Sequence, residues 1–256
     1  MNTPTRHLFR DIGIGLLVGV FSGLFGVGGG VILVPLLVLL FAVEQKRAQA
    51  TSLVVVALAA VTGATTYSVG FSVVWEAVPF LIAGGLMGTW VGSALVVRIA
   101  TRWLQVGFAV LLVGAAARLL FLSLGDVGSD IPDLGAGLIV AYLFAGLAMG
   151  LLSSLLGVGG GIIVVPLLVT FFGFSQQLAQ GTSLVVMVPI ALLGAWRLTK
   201  TGFTQWGQGI RIGLGASVGA IGGASVALVT SASVLQIGFA ALLVFAASQL
   251  ARRALR

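Results

Sequence analysis

The chain has 256 residues, 59% of them hydrophobic and 7% charged, with a mean hydropathy of +1.20. A soluble chain of that make-up could not cover its own surface with polar groups, so its surroundings are a lipid bilayer. The formal net charge of +7 is carried by single or paired Lys and Arg between apolar runs, which excludes a solvated nucleic-acid-binding patch, and the absence of cysteine excludes disulfides and thiol chemistry.

In chain order, apolar segments cover about 12–43, 47–71, 75–97 and 101–123, and then about 134–173, 179–199, 206–230 and 233–251. Six of them have the length of an ordinary single span, roughly 20 residues. The first and fifth are too long for one crossing and are interrupted by glycines, at Gly26-Val27-Gly28-Gly29-Gly30 and Gly157-Val158-Gly159-Gly160-Gly161. Each reads as one long tilted helix or as a helical hairpin with arms of about 15 residues meeting at a Gly-rich tip. Arg6 and Arg10 before the first run resemble the start of a signal peptide. That run has a full-length counterpart near residue 150, however, and is read as part of the mature chain.

The two glycine motifs belong to a duplication with a constant offset of 131 residues. Between Gly15–Ala42 and Gly146–Gly173, 17 of 28 positions are identical, Pro35 with Pro166 among them. The register persists through Ala48, Gln49, Thr51, Ser52 and Leu53, which match Ala179, Gln180, Thr182, Ser183 and Leu184. The expected organisation is a first repeat over 1–123, a polar, turn-rich linker over 124–133, and a second repeat over 134–256.

Charge chooses between the two readings of the long segments. If both are hairpins that leave the membrane on the side they came from, 12 basic residues fall at or near one side: Arg6, Arg10, Lys46, Arg47, Arg98, Arg102, Arg197, Lys200, Arg211, Arg252, Arg253 and Arg256. Only Arg118 stays near the other side, with Glu76, Asp126, Asp130 and Asp133. The tendency of Lys and Arg to remain cytoplasmic then favours the hairpins and places both termini in the cytoplasm. A hairpin plus three crossings is an odd number of crossings per repeat, so the second copy is expected upside down relative to the first. The predicted fold is an all-α polytopic membrane protein of two inverted-topology repeats, each a Gly-tipped hairpin plus three full transmembrane helices.

The repeated polar and glycine positions are the candidate site. Gly84, Gly88, Gly92, Gly215, Gly219 and Gly223 recur at every fourth residue and read as close helix packing. Gly28, Gly29, Gly30, Gly159, Gly160 and Gly161 differ, because four glycines in five residues, with a proline soon after, interrupt a helix and free backbone groups that lipid cannot satisfy. The helix that resumes beyond them aims its N-terminal N–H groups at the break, an arrangement suited to an anion. Gln49, Thr51 and Ser52, with Gln180, Thr182 and Ser183, supply neutral hydrogen-bond donors, although hydroxyls near a helix start also serve as caps. Arg118 and Arg211 are further candidates that lie close enough to span ends to snorkel. No group of residues suits a metal ion, and with His7 outside the apolar runs a catalytic nucleophile has no base. Neither enzyme, metal site nor cofactor is expected.

These motifs resemble those of the TauE/SafE family of sulfite and organosulfonate exporters, also called the TSUP family. Its members carry two copies of a Gly-rich motif like Gly26 to Gly30 followed by an apolar run with Pro35, and a downstream Gln-Ala-Thr-Ser-Leu like Gln49 to Leu53. Here the second copy departs only by Gly181 in place of Ala50. The resemblance implies a secondary transporter of the cell inner membrane that exports small sulfur-containing oxyanions such as sulfite, thiosulfate or sulfoacetate. It leaves open a coupling ion such as the proton and the pairing of protomers into a homodimer. A passive small-anion channel is the alternative, since it would use the same helix N-termini.

Overall fold

The computed structural model describes residues 3–95, 113–114, 116–117 and 135–254, so the predicted segment 101–123 and the linker 124–133 lie almost wholly outside the described residues. Among the described residues all regular secondary structure is helical: α1 (Thr3–Phe25), α2 (Gly30–Phe41), α3 (Gln45–Val69), α4 (Val78–Leu95), α5 (Ala136–Leu156), α6 (Gly161–Phe172), α7 (Gln176–Thr199), α8 (Trp206–Val229) and α9 (Ala232–Ala254). Seven of these, all but α2 and α6, are long and apolar enough to cross a membrane. Side chains such as Leu16, Met87, Phe144, Leu214 and Val218 are exposed and face the lipid, while the largest buried side chains are Tyr67, Tyr142, Phe174 and Phe239.

Both long segments are hairpins, but with unequal arms. The 23 residues of α1 are followed by the 12 of α2, and the 21 of α5 by the 12 of α6, where two arms of about 15 were expected. Twelve residues rise only about 18 Å, too short to cross. The break lies at the glycines alone, and both helices run on through Pro35 and Pro166. Gly26, Gly28 and Gly29 have φ of 66, 72 or 75°, and Gly157, Gly159 and Gly160 have φ of 67 to 86°. That left-handed backbone costs other residues roughly 1–2 kcal/mol each. After the turn the chain doubles back: a Cβ added at Gly29 would overlap the Val18 side chain and stand 3.5 Å from Ser22 Cβ. At the far end, the Arg10 guanidinium lies 4.2 Å from the centre of the Phe41 ring. In the second hairpin Gly160 abuts Met149, and Tyr142 stacks on Phe172 with ring centres 4.7 Å apart.

Glycine stripes set the helix partners. Gly15, Gly19 and Gly23 of α1 press on the backbone of Ile212, Ala216 and Ala220 in α8, whose Gly215, Gly219 and Gly223 press back on Ile12, Leu16 and Val20. The same arrangement joins Gly84, Gly88 and Gly92 of α4 to Leu143, Leu147 and Leu151 of α5. The packing expected of the six regularly spaced glycines is therefore present, and each stripe lies against the first helix of the other repeat. Both pairs run parallel. Gly209 meets Val54 and Gly213 meets Leu58, so α3 runs with α8, whereas contacts of Gly63 with Leu184 and of Leu53 with Gly194 set α7 antiparallel to α3. Helices α1, α3 and α8 thus share one direction, and α4, α5 and α7 the opposite one.

One end of the bundle gathers the basic groups. Arg211 Nε donates to Asp11 Oδ2 at 3.0 Å, Lys46 lies over Phe203, Arg197 over Trp90, and Lys200 over Trp196. Asp11 is a buried carboxylate, 1% exposed, just before the apolar segment expected to begin at about residue 12. Its pairing makes Arg211 a structural partner of α1 and leaves it away from the glycine tips. Arg118 lies outside the described residues. The opposite end holds the exposed turn with Glu76. Single cysteines replacing Lys200 and Glu76 are expected to react with a membrane-impermeant thiol reagent from opposite sides, and reaction from the same side would overturn this arrangement.

Candidate functional site

The two glycine tips meet in the middle of the bundle. A Cβ added at Gly30 would stand 2.6 Å from the Gly157 carbonyl oxygen and 2.7 Å from Val158 Cα, while one at Gly161 would overlap the Gly26 carbonyl oxygen. Gly28 and Gly159 both face Val56 and Met187, which are themselves related by the 131-residue offset. At Gly30 and Gly161 backbone from the other repeat fills the space a side chain would take, and at Gly28 and Gly159 the Val56 and Met187 side chains fill it.

The polar motifs on α3 and α7 bind the tips crosswise. Ser52 Oγ donates to the Gly157 carbonyl, and Ser183 Oγ donates to the Gly26 carbonyl at 3.0 Å. The backbone of Gln49 packs on Gly157 as that of Gln180 packs on Gly26, with an added Cβ at 2.5 and 2.6 Å from the respective Cα atoms. Thr51 Oγ1 accepts from Gln205 N at 3.1 Å, and Thr182 Oγ1 accepts from Val74 N at 3.0 Å. Each contact has a counterpart displaced by 131 residues on both partners. The structure therefore brings all of Gly28, Gly29, Gly30, Gln49, Thr51, Ser52, Gly159, Gly160, Gly161, Gln180, Thr182 and Ser183 around one centre. It turns the four hydroxyls toward backbone groups.

Helices α2 and α6 begin at that centre. The Gly29 carbonyl accepts from Ile32 N and Leu33 N, and the Gly160 carbonyl from Ile163 N and Val164 N. The N–H groups of Gly30, Val31, Gly161 and Ile162 are then the orphan donors of two helix starts, and the positive ends of both helix dipoles lie with them. A cavity of about 40 Å³ reaches this point, lined by Val31, Val158 and Ile162 and by the carboxamide residues Gln45, Gln49 and Gln249. Among the described residues no acidic side chain lines it. The space suits roughly three water molecules or one small ion.

Gln45 and Gln249 are absent from the sequence-derived site. Gln45 could have been found, since Gln176 stands at its 131-residue counterpart. Gln249 could not, because its counterpart is Arg118. Gly181, the one departure in the second Gln-x-Thr-Ser-Leu motif, is explained by packing: a Cβ there would collide with the Ser72 carbonyl and stand 2.9 Å from Tyr67 Cβ.

This fold and this paired site define a multi-pass membrane protein built on a duplicated helical unit. The sequence profile of the family described as sulfite exporter TauE/SafE matches residues 2–119 and 142–256, and the chain belongs to that family of membrane transporters. It is 31% identical over 110 residues to "Probable membrane transporter protein YunE" of Bacillus subtilis, spanning 43% of this chain and 40% of that protein's length. It is 25% identical over 202 residues to a "Probable membrane transporter protein" of Haemophilus influenzae, covering 76% and 74% of the two chains. Over 211 residues it is 26% identical to "Probable membrane transporter protein YdhB" of Bacillus subtilis, covering 81% and 85%. No solved structure matches the chain.

Proposed function

We propose that this protein exports small sulfur-containing oxyanions, of the class of sulfite, thiosulfate and sulfoacetate, across the cell inner membrane by alternating access between two inverted repeats. The observation that carries the reading is the cavity in which the starts of α2 and α6 meet three carboxamides and, among the described residues, no carboxylate. Helix N-termini and amide N–H groups stabilise a desolvated anion without placing a full charge in the bilayer. In this reading the anion is held by the N–H groups of the segments Gly28–Val31 and Gly159–Ile162 and by the glutamines. The hydroxyls of Thr51, Ser52, Thr182 and Ser183 fix the frame around it.

The opposed directions of helices related by the offset, α1 against α5, α3 against α7 and α4 against α8, support the inverted arrangement. An odd number of crossings per repeat produces the same relation. The gathering of Arg10, Lys46, Arg197, Lys200 and Arg211 at one end supports a cytoplasmic location for that end and for both termini. Close contact of the two tips favours alternating access over a passive channel, which needs a continuous pore; single-channel currents in a planar bilayer would reverse that preference.

The test is flux in proteoliposomes with sulfite, thiosulfate, sulfoacetate and acetate, with and without an imposed pH gradient. The wild-type protein is expected to carry at least one of the three sulfur anions in preference to acetate. Gln49→Leu and Gln249→Leu are each expected to weaken apparent affinity about tenfold to a hundredfold, the loss of one hydrogen bond to a charged ligand. Unchanged affinity in both variants would move the site elsewhere.

A further inference from the structure

The 131-residue offset gives the open cavity a counterpart, and among the described residues that counterpart is closed. Gln45, which is half-buried, and Gln49, 5% exposed, line the cavity at the basic end, while their equivalents Gln176 and Gln180 are both 0% exposed and line no such opening among the described residues. Their side chains are also incompletely satisfied. Gln176 Oε1 and Nε2 and Gln180 Nε2 are buried without a hydrogen-bond partner. Burying unpaired amide groups in a low-dielectric interior is unfavourable, and packing alone gives no reason for polar residues at these two positions.

The closure can be traced to particular residues. The Tyr67 hydroxyl lies 2.9 Å from the Gly23 carbonyl oxygen and 2.9 Å from Gln180 Oε1, joining α3, the first hairpin and α7 across the shut side. Beside it Phe25 stacks on Phe239 with ring centres 5.9 Å apart. The offset places Leu198 opposite Tyr67 and Leu156 opposite Phe25. Leucine cannot make the phenol's bond, and Leu156 instead lines the open cavity. Sequence identity at the motifs and divergence at these two positions therefore coincide with one half being open and the other sealed.

We propose that Gln176 and Gln180 form a second anion half-site, used when the transporter faces the end away from the basic residues, and that Tyr67 is the lock that keeps this half-site closed in the state described. This rests on the anion-transport reading above. The bond to Tyr67 occupies one end of the Gln180 carboxamide, and opening frees that end together with the three unpartnered atoms for ligand or water. Because the lock exists in one repeat only, the conformation open at the basic end is the favoured one in the absence of substrate.

Cysteine reporters test the lock independently of flux. Val158 lines the open cavity, and Val27, its counterpart, is 2% exposed. Val158→Cys is expected to react with an impermeant thiol reagent from the side of the basic end, and Val27→Cys only slowly, from the opposite side. Adding Tyr67→Phe, which keeps the ring and removes only the hydroxyl, is expected to raise Val27→Cys labelling from the opposite side about fivefold, the shift that one hydrogen bond of ordinary net strength supports. It is expected to lower Val158→Cys labelling at the same time. Unchanged labelling of both reporters would overturn the lock, whether or not the protein carries any sulfur anion. In the Tyr67→Phe, Val27→Cys protein, whichever of sulfite, thiosulfate and sulfoacetate the flux assay shows to be carried is expected to slow labelling where acetate does not, and Gln176→Leu or Gln180→Leu to abolish that protection. Absence of protection, or protection that survives both glutamine substitutions, would overturn the half-site while leaving the lock and the Gln49 site standing.

Discussion

Gly160→Val and Gly29→Val are each expected to abolish transport and to lower the amount of folded protein in the membrane. The sequence alone suggests a narrower effect, in which a branched side chain blocks an anion from the backbone N–H groups while expression is preserved. The geometry adds two further costs. Gly160 has φ of 79° and Gly29 of 72°, a conformation that disfavours any side chain by roughly 1–2 kcal/mol. A Cβ at Gly160 would also stand 2.6 Å from both Met149 Cγ and the Met149 carbonyl oxygen, and one at Gly29 would stand 2.8 Å from the Val18 carbonyl oxygen. Backbone carbonyls within a hairpin cannot move aside as a flexible side chain can. Flux measured beside fluorescence-detected size-exclusion chromatography reads both effects, with Gly222→Ala as the control because a Cβ there meets nothing within 4 Å. Full flux from well-folded Gly29→Val protein would show that the break tolerates a side chain and is not where the anion passes.

How much of this was legible in the chain depends on the range of the interaction that decides each feature. The hairpins were legible because a local signal, four glycines in five residues, coincided with a global one, the distribution of Lys and Arg. Their unequal arms were not: α1 begins at Thr3, well before the apolar run at residue 12, since hydropathy does not register a helix that continues into the interface. The regular glycine stripes announced close packing but not with which helix. Parallel pairing of α1 with α8 joins residues some 200 positions apart, and nothing in either stripe names its partner. Asp11 escaped notice because its neighbours are polar on one side only, and its partner Arg211 looked like a separate interfacial residue. Among candidate site residues, the duplicated positions stand out in the sequence because duplication marks them. Tyr67 and Gln249 do not stand out for the converse reason, as neither has a like residue at its counterpart, Leu198 or Arg118.

Thr182→Val is expected to lower unfolding stability by about 1–3 kcal/mol, the cost of leaving one buried polar group unsatisfied, and Thr51→Val by an amount near the bottom of that range. Both threonines are 0% exposed, and valine matches their shape, so the change is confined to one oxygen. The difference between them comes from the donors they serve. Thr182 Oγ1 accepts from Val74 N, and Val74 is 3% exposed, so its amide has no access to water once the oxygen is gone. Thr51 Oγ1 accepts from Gln205 N in a half-buried turn, where water can take over part of the bond. Each bond ties a connecting turn of one repeat to the Gln-x-Thr-Ser-Leu motif of the other, so its loss loosens the interface across which the proposed alternating access takes place. Thermal unfolding in detergent measures the stability, and the concentration dependence of flux measures affinity in the same variants. If the hydroxyls frame the site, affinity for the transported anion stays within about twofold of wild type. If they contact the anion directly, affinity falls tenfold to a hundredfold with little change in unfolding temperature. The second outcome would return Thr51 and Thr182 from the frame to the ligand shell and require both side chains to turn away from Gln205 and Val74 when substrate binds.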